Sequence, residues 1–343
     1  MIADQFEQKP PPKPSPHHGL VAFCVAVSSL ILSLSANAAT FTTFDAPGAA
    51  CGTIVTSINT GVITGYYQDS NCFSHGFVRA VDGTITDFDP PNSNGTSPES
   101  INSTGVITGY YSPGRSFYHG FLRAADGTFT EFDPTNSIGT SPESINSTGV
   151  VAGSYVDSSN VYHGFVRAAD GTITDFDPLN SIGTIAMSLN NKGVITGYYS
   201  DGSTLWGFVR AADGTITKFE PSGSNVTFPR SINNDGVITG FYQDSNGMNH
   251  GFVRAADGTI TEFDPPNSIN TTAVSLNNKG VITGFYDDSK SVFHSFIRRA
   301  DGAIKSFDVP NSINTTASSI NKRAIAGTYE DNSAKLHGFL RTP

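Results

Sequence analysis

The chain repeats one pattern of apolar and polar positions seven times. Short runs that alternate apolar and polar residues are separated by Gly, Asn, Asp and Pro, which is typical of β-strands joined by turns. Each repeat contains the tripeptide Ser-Ile/Leu-Asn, and successive copies are 43 or 44 residues apart, beginning at Ser57, Ser100, Ser144, Ser188, Ser231, Ser275 and Ser319. A repeat of this length is typical of β-propeller blades. The pattern therefore predicts an all-β fold.

Four strands are predicted in each repeat: one ending in Ser-Ile-Asn, then Gly-Val-Ile-Thr-Gly-Tyr, His-Gly-Phe-Val-Arg and Thr-Ile-Thr-Asp-Phe-Asp. Between the first two, Asn102-Ser-Thr-Gly105 and its counterparts predict a turn that Asn caps and Gly completes in the left-handed conformation. Between the last two, Asp82-Gly83 predicts a two-residue type I′ hairpin. That hairpin places Phe77 opposite Phe88, and His75, Phe77 and Arg79 on the face packed against a neighbouring blade. The last repeat reads Asn321-Lys-Arg-Ala324, so its turn is expected to differ.

The two ends of the repeated region complement each other. Residues Thr40-Phe-Thr-Thr-Phe-Asp45 match a fourth strand, whereas the chain stops after His337-Gly-Phe-Leu-Arg341, which matches a third strand. We therefore predict a seven-bladed β-propeller of four-stranded blades over residues 40–343, with about 44 residues per repeat. The ring is expected to close where the N-terminal strand completes the last blade, which removes an exposed sheet edge.

Residues 1–38 differ in composition from the repeats and are predicted to be a signal peptide. A polar, Pro-rich start precedes the apolar segment Leu20–Ser35, which is short for a membrane span, and Ala36-Asn37-Ala38 offers small residues for cleavage after Ala38. We expect a secreted protein, extracellular or periplasmic. An uncleaved anchor is the alternative, because the acidic and basic residues before the apolar segment balance.

The charge of the chain narrows the choice of partners. The formal net charge is −10, and it is unchanged without residues 1–38, which contain two acidic and two basic residues. An acidic chain with few Lys or Arg clusters argues against binding to nucleic acid or to an anionic membrane surface. The repeats contain no long apolar run, so no membrane span is expected after removal of the signal peptide. We expect a monomer.

The repeat resembles a known family. Ile-Asn-x-x-Gly-Val-Ile-x-Gly, then His-Gly-Phe, an Asp-Gly turn and a closing Phe-Asp-Pro are similar to the bacterial HAF-type extracellular repeat proteins over essentially all of residues 40–343. The resemblance implies secretion and a propeller-like fold, and it carries no defined activity or catalytic residues. Five of the seven copies read His-Gly-Phe instead of the family's His-Ala-Phe. Ser295 and Trp206 mark the two other copies.

Residue types that suggest catalysis recur in every repeat. Ser57, His75 and Asp89 have the composition of a hydrolase triad, but equivalents occur along the whole chain, as in the structural Asp, His and Ser/Thr network of WD-repeat propellers. A recurrent Asp, such as Asp69, could suggest calcium, yet a single Asp before a polar turn is usual in a hairpin loop. We therefore expect no catalytic triad, no metal and no cofactor.

Variation between repeats is concentrated in the longer connections, which strand order places on the side opposite the tight turns. The residue before the His position, the residue before Ser-Ile-Asn and the single tryptophan provide aromatic and charged side chains there. Such groups at a propeller mouth are suited to a sugar or peptide, and ordinary loop side chains are the alternative interpretation. The candidate ligand-binding residues are Trp206, Tyr118, Tyr162, Glu99, Glu143 and Arg230.

We predict a secreted, non-catalytic binding or structural module whose partner is a polysaccharide, another carbohydrate or a cell-surface protein. The alternative is a propeller enzyme, a glycoside hydrolase, lyase or lactonase, in which Glu99 and Glu143 act as acid and base. Both Glu residues occur in the near-copies Gly-Thr-Ser-Pro-Glu-Ser, which suggests duplication rather than a dedicated catalytic pair. Cys51 and Cys72, the two cysteines after the signal peptide, are predicted to form a disulfide; two free thiols are the alternative.

Overall fold

A computed structural model describes residues 39–114 and 117–343, which contain 28 β-strands and no α-helix. We number the strands in chain order. None of the described residues belongs to a helix that is long and apolar enough to cross a membrane. The predicted signal peptide, residues 1–38, lies outside the described residues.

The strands form seven antiparallel units of four, as the repeat predicts. The first strands are β2 (Gly52–Asn59), β6 (Gly95–Ile101), β10 (Ser137–Ile145), β14 (Gly183–Leu189), β18 (Val226–Ile232), β22 (Asn270–Leu276) and β26 (Asn314–Ile320). The second strands are β3 (Val62–Gln68), β7 (Ile107–Ser112), β11 (Val151–Asp157), β15 (Ile195–Ser200), β19 (Ile238–Gln243), β23 (Ile282–Asp287) and β27 (Ile325–Glu330). The third strands are β4 (Ser74–Arg79), β8 (His119–Arg123), β12 (Tyr162–Arg167), β16 (Leu205–Arg210), β20 (Asn249–Arg254), β24 (Phe293–Arg298) and β28 (Leu336–Thr342). The fourth strands are β5 (Ile85–Phe88), β9 (Phe129–Phe132), β13 (Ile173–Phe176), β17 (Ile216–Phe219), β21 (Ile260–Phe263), β25 (Ile304–Phe307) and, for the last unit, β1 (Thr40–Phe44).

The N-terminal strand pairs with the C-terminal strand. β1 runs antiparallel to β28, from Thr40 opposite Thr342 to Phe44 opposite Gly338, and β28 also pairs with β27. β1 therefore occupies the fourth position of the last unit. Each unit contacts the next along the chain, and β2 of the first unit also contacts β26, β27 and β28 of the last.

Phenylalanines hold neighbouring units together. The Phe of each third strand is almost completely buried, and it meets the Phe of the preceding unit's fourth strand edge to face, as Phe77 meets Phe44 at 6.1 Å between ring centroids. The guanidinium of Arg79 lies 5.0 Å from the centroid of the same Phe44 ring. Such aromatic and cation–π contacts add to the burial of apolar area. Phe77 and Arg79 thus use the face that the sequence predicts.

Each first strand contains a β-bulge immediately before Ser-Ile-Asn. In β6 the register shifts between Pro98 and Ser100, so Glu99 is the extra residue. Opposite the bulge, the second strand has Gly109, where a Cβ would overlap the carbonyl oxygen of Ser97. The repeated Gly therefore permits this close approach of two strands. Bulges redirect side chains, and the bulged position is the one that differs most between repeats.

The Asp-Gly turn differs from the predicted two-residue hairpin. Gly76, not Phe77, lies opposite Phe88, so the predicted register was wrong by one residue. Only Gly83 of the pair has a positive φ, 95°, and its N–H donates to the carbonyl of Ala80 at 3.0 Å. The loop therefore contains three residues, one more than a type I′ hairpin loop. This is the pattern of a type I turn followed by a glycine bulge at Gly83.

The turn between first and second strands agrees with prediction. Asn102 Oδ1 accepts the N–H groups of Thr104 and Val106, each at 3.0 Å, and Gly105 has φ 82°. In the last unit the Asn321 N–H donates to the carbonyl of Ala324 at 3.0 Å, and none of the described residues 321–324 has a positive φ. The loss of Gly therefore changes this turn, as expected.

Candidate functional site

The His residues belong to a network that joins three segments. His75 Nδ1 lies 2.7 Å from Asp89 Oδ2, and the Thr96 hydroxyl of the next unit donates to the same Asp89 carboxylate. On its other side, His75 Nε2 is 3.8 Å from Asp69 Oδ2. Equivalent His–Asp contacts occur in six of the seven units, with His75, His119, His163, His250, His294 and His337. These side chains hold the third strand, the connection after the fourth strand and the next unit together.

Flanking carboxylates change the protonation of three of these histidines. Burial alone would lower the pKa of His163, but the hydrogen bond and charge of Asp177, together with Asp157, raise the pKa above its usual value. The same causes raise the pKa of His75 and His250. The protonated imidazole is therefore stabilised in the folded protein.

The serine of Ser-Ile-Asn bonds to the next unit through its hydroxyl. Ser57 Oγ accepts the N–H of Ile101 in the next unit at 3.4 Å, and Ser319 of the last unit accepts the N–H of Ile58 in the first at 3.2 Å. All seven units make this bond. The serine hydroxyls thus link neighbouring units, in keeping with the structural interpretation.

Trp206 occupies the His position of the fourth unit and replaces its contacts. Its Nε1 donates to Asp201 Oδ2 at 2.7 Å, and Lys218 Nζ lies 2.9 Å from the centroid of its ring. Hydrogen bonds from Ser203 and from Trp206 lower the pKa of the Asp201 carboxyl. We call the His–Asp contacts of the other six units, together with these contacts of Trp206, the outer network. None of these contacts joins Trp206 to the other candidate residues.

Glu99 and Glu143 occupy the same bulged position in two neighbouring first strands. Ser97 Oγ donates to Glu99 Oε1 at 2.7 Å, and Ser141 Oγ donates to Glu143 Oε1 at 2.8 Å. Burial, followed by the charge of Glu143, raises the pKa of Glu99 to about 8. Burial also raises the pKa of Glu143. Arg230, at the equivalent position of β18, partly opposes both shifts, so these three candidates act on one another electrostatically.

Aromatic side chains of the second strands lie beside these charges. Tyr110 is opposite Ser97, and its ring meets Tyr118 edge to face at 5.3 Å. Burial and the charge of Glu99 raise the pKa of Tyr110 to about 12. Burial also raises the pKa of Tyr198. The charge of Arg230 opposes this shift, whereas Glu143 and Tyr162 add to it. Tyr118 and Tyr162 are 53% and 50% exposed, so the exposed rings border a polar and aromatic interior.

We call Glu99, Glu143, Arg230, Tyr110, Tyr118, Tyr162 and Tyr198 the inner sector. The sequence prediction found five of them and missed Tyr110 and Tyr198. Both tyrosines follow the Gly of a second strand, and the variation of this position between repeats could have identified them. The seven residues there are Tyr66, Tyr110, Ser154, Tyr198, Phe241, Phe285 and Thr328.

A cavity of about 730 Å³ lies among the turns that follow Ser-Ile-Asn, and none of the inner-sector residues borders it. All seven units border it. Aliphatic side chains of Ile145, Leu189 and Ile232 contribute to its lining, together with asparagines and, from the last unit, Lys322 and Arg323. Turns of all seven units thus contribute to one cavity, whose walls combine polar and apolar surface in similar amounts.

Two smaller predictions concern metal and disulfide sites. Among the described residues, His119, Glu131 and Asp133 offer ligand atoms within 4.8 Å of one another. However, His119 and Asp133 make the hydrogen bond found in the other units, and Tyr111 donates to Glu131, so the group is explained without an ion. Cys51 Sγ and Cys72 Sγ are 2.9 Å apart on exposed side chains. The predicted disulfide stays a prediction.

Comparison with solved structures identifies the architecture. A streptogramin B lyase matches 88% of this chain over 97% of its own length, at 14% identity and a TM-score of 0.57. The β-propeller domain of the trilobed protease from Pyrococcus furiosus matches 84% of this chain over 95% of its own length, at 11% identity and a TM-score of 0.59. The fold is a β-propeller. The BP39L lectin from Burkholderia pseudomallei also matches, with 9% identity, coverage of 88% and 95%, and a TM-score of 0.55.

At these identities the likeness concerns the fold alone. No protein-family model matches the sequence, and neither does any curated protein. Function therefore has to be argued from the residues of this propeller.

Proposed function

We propose that the seven units are the blades of one closed β-propeller, in which β1 completes the last blade. Three observations support closure: β1 pairs with β28, β2 contacts the strands of the last unit, and Ser319 bonds to Ile58 of the first unit. The motif pattern supports membership of the HAF-type repeat family. It also supports export, since the repeats are preceded by the segment with signal-peptide character.

This propeller acts as a secreted, non-catalytic module that binds carbohydrate through the inner sector. The observation that carries the proposal is that the exposed ring of Tyr118 packs on Tyr110, which lies within electrostatic range of Glu99 and Glu143. Tyr162 and Arg230 likewise act electrostatically on Tyr198. Both carboxylates are half-buried. Flat aromatic rings pack against the apolar faces of sugars, while carboxylate and guanidinium groups bind hydroxyls. These residues also differ from their counterparts in other units, so their chemistry is not required to hold the blades together.

The test begins with a glycan array and continues with titration of each glycan that binds. Tyr118→Ala and Tyr162→Ala should each weaken binding by on the order of 1 to 3 kcal/mol, the range for truncating an interface aromatic. Phe293→Ala is the matched control, because Phe293 has the same position in the sixth unit, outside the inner sector. Equal losses in all three variants would place the site elsewhere, and an array without binding would contradict the carbohydrate proposal.

Hydrolysis or lyase chemistry is the second candidate, and the protonation of Glu99 favours it. A carboxyl group with a pKa of about 8 keeps its proton at neutral pH, as a general acid requires. Glu143 would then act as the base or nucleophile, a role that its own raised pKa supports less well. Assays on the glycans that bind decide between the two: turnover that disappears in Glu99→Gln or Glu143→Gln, with binding retained, would establish an enzyme.

A further inference from the structure

The cavity of about 730 Å³ among the first turns shares no lining residue with the inner sector, and its walls are unusual in an acidic protein. Its volume lies within the range of roughly 300 to 1,000 Å³ that is common for small-molecule sites. The charged residues that border it are Lys322 and Arg323, and its other walls are neutral. The lining therefore carries a formal charge of +2 in a chain whose net charge is −10.

Both cations come from the one turn after Ser-Ile/Leu-Asn that lacks the Gly. The second and third units read Asn-Ser-Thr at the place where the last unit reads Asn321-Lys322-Arg323. Lys322 and Arg323 are exposed, and neither forms an ion pair with any described residue. Their charges are therefore free to meet a ligand.

A ladder of asparagine bonds makes the rest of the wall rich in donors. Asn191 Oδ1 accepts the Ser147 N–H at 3.0 Å, Asn234 Oδ1 accepts the Asn191 N–H at 3.0 Å, and Asn278 Oδ1 accepts the Asn234 N–H at 2.9 Å. These bonds use the amide oxygens, whereas the three Nδ2 groups have no hydrogen-bond partner among the described residues. Each such group can donate two hydrogen bonds. The ladder ends at Asn278, because Lys322 stands at the position where the next asparagine would be.

We propose that this cavity is a second binding site, which takes an acidic sugar through its carboxylate and hydroxyl oxygens. The ammonium of Lys322 and the guanidinium of Arg323 bind the carboxylate, since charge-assisted hydrogen bonds are the stronger ones. The amide Nδ2 groups of Asn191, Asn234 and Asn278 donate to hydroxyl oxygens. The site does not depend on the inner sector.

Calorimetric titration at fixed ionic strength tests the proposal with three probes: digalacturonate, the uncharged digalactose and inorganic sulfate. We expect digalacturonate to bind and digalactose to bind at least tenfold more weakly. The double variant Lys322→Ser/Arg323→Thr gives the last unit the Asn-Ser-Thr tripeptide of the second and third units, and it should weaken digalacturonate binding at least tenfold.

Lys290→Ser/Lys305→Thr is the matched control. It removes two positive charges from exposed side chains that do not border the cavity, so binding should be unchanged. Equal losses of digalacturonate affinity in both double variants would mean that the effect comes from net charge alone, and this result would contradict the proposed site. Binding of sulfate without digalacturonate would contradict the acidic-sugar assignment, and no binding of either anion would reject the proposal altogether.

Discussion

The outer network and the inner sector are built on the same repeat but use it in opposite ways. Around the His positions, nearly every unit makes the same contacts, and the polar groups are partnered within the protein, as His163 is by Asp177 and Asp157. At the bulged position of the first strands, the side chains differ from unit to unit: Thr56, Glu99, Glu143, Met187, Arg230, Val274 and Ser318. Repetition thus marks residues that hold the propeller together, and departure from it marks residues that are free for recognition.

Deleting residues 40–47 should have the largest effect, because it removes the fourth strand of the last unit. β28 would lose its pairing with β1, and Phe41 and Phe44 would no longer pack on neighbouring aromatic rings. We expect the free energy of unfolding to fall by several kcal/mol, with a tendency to associate through the open edge. Chemical unfolding with size-exclusion chromatography measures both effects.

Asp45→Asn is the control for that deletion, since it retains the strand and alters only the side-chain contacts of Asp45 with His337 and Thr53. A deleted form that unfolds at the same denaturant concentration as the full chain, and stays monomeric, would show that the two ends do not stabilise the ring.

Cys51 and Cys72 test whether the first unit has a cross-link that no other unit repeats. The Sγ atoms are 2.9 Å apart, and we expect the exported protein to contain the disulfide. A closed loop of about 20 residues should contribute roughly 3 kcal/mol in the chain-entropy model. Thiol titration of unfolded, unreduced protein should find no free thiol, and reduction should lower the melting temperature. Two titratable thiols, or no effect of reduction beyond that in Cys72→Ser, would reject the bridge.

Glu99→Gln should change how stability depends on pH. The carboxyl has a usual pKa of 4.5 and a pKa of about 8 in the folded protein. Below 4.5 it is protonated in both states, whereas between 4.5 and 8 the unfolded state ionises first, so stability declines as pH rises. Glutamine cannot ionise, and the variant should be more stable than the wild type at pH 8 by on the order of 1 to 3 kcal/mol.

Thermal unfolding from pH 4 to pH 9 measures that difference. Glu220→Gln, which alters an exposed carboxylate, is the matched control. Parallel curves for the wild type and Glu99→Gln would mean that the inner carboxylate is solvated like a surface group.

The smallest effects distinguish the two regions directly. His163→Ala and Trp206→Ala remove equivalent members of the outer network, and each should lower the free energy of unfolding by roughly 1 to 2 kcal/mol, through lost hydrogen bonds and ring contacts. Neither should change the affinity for a ligand of the inner sector, whereas Tyr118→Ala should change affinity and leave the melting temperature nearly constant. Melting curves and titrations of the same three variants provide the comparison. Weakened binding by Trp206→Ala at unchanged stability would return Trp206 to the binding site.

The sequence alone determined the repeat length, the four strands per unit, the asparagine turn and the pairing of the two chain ends. Each follows from local rules: strand periodicity, turn chemistry and the requirement to cover a sheet edge. The sequence also singled out Glu99, Glu143 and Arg230, because departures from a repeat are visible without a structure.

Tertiary structure decided what local rules cannot express. The glycine bulge at Gly83 shifted the hairpin register by one residue, since an Asp-Gly pair is compatible with more than one loop length. Contacts with Asp201 and Lys218 decided that Trp206 belongs to the outer network. Only tertiary packing brought Lys322 and Arg323 to one cavity with asparagines from turns more than 40 residues away in sequence, because packing, not sequence distance, determines which side chains share a cavity.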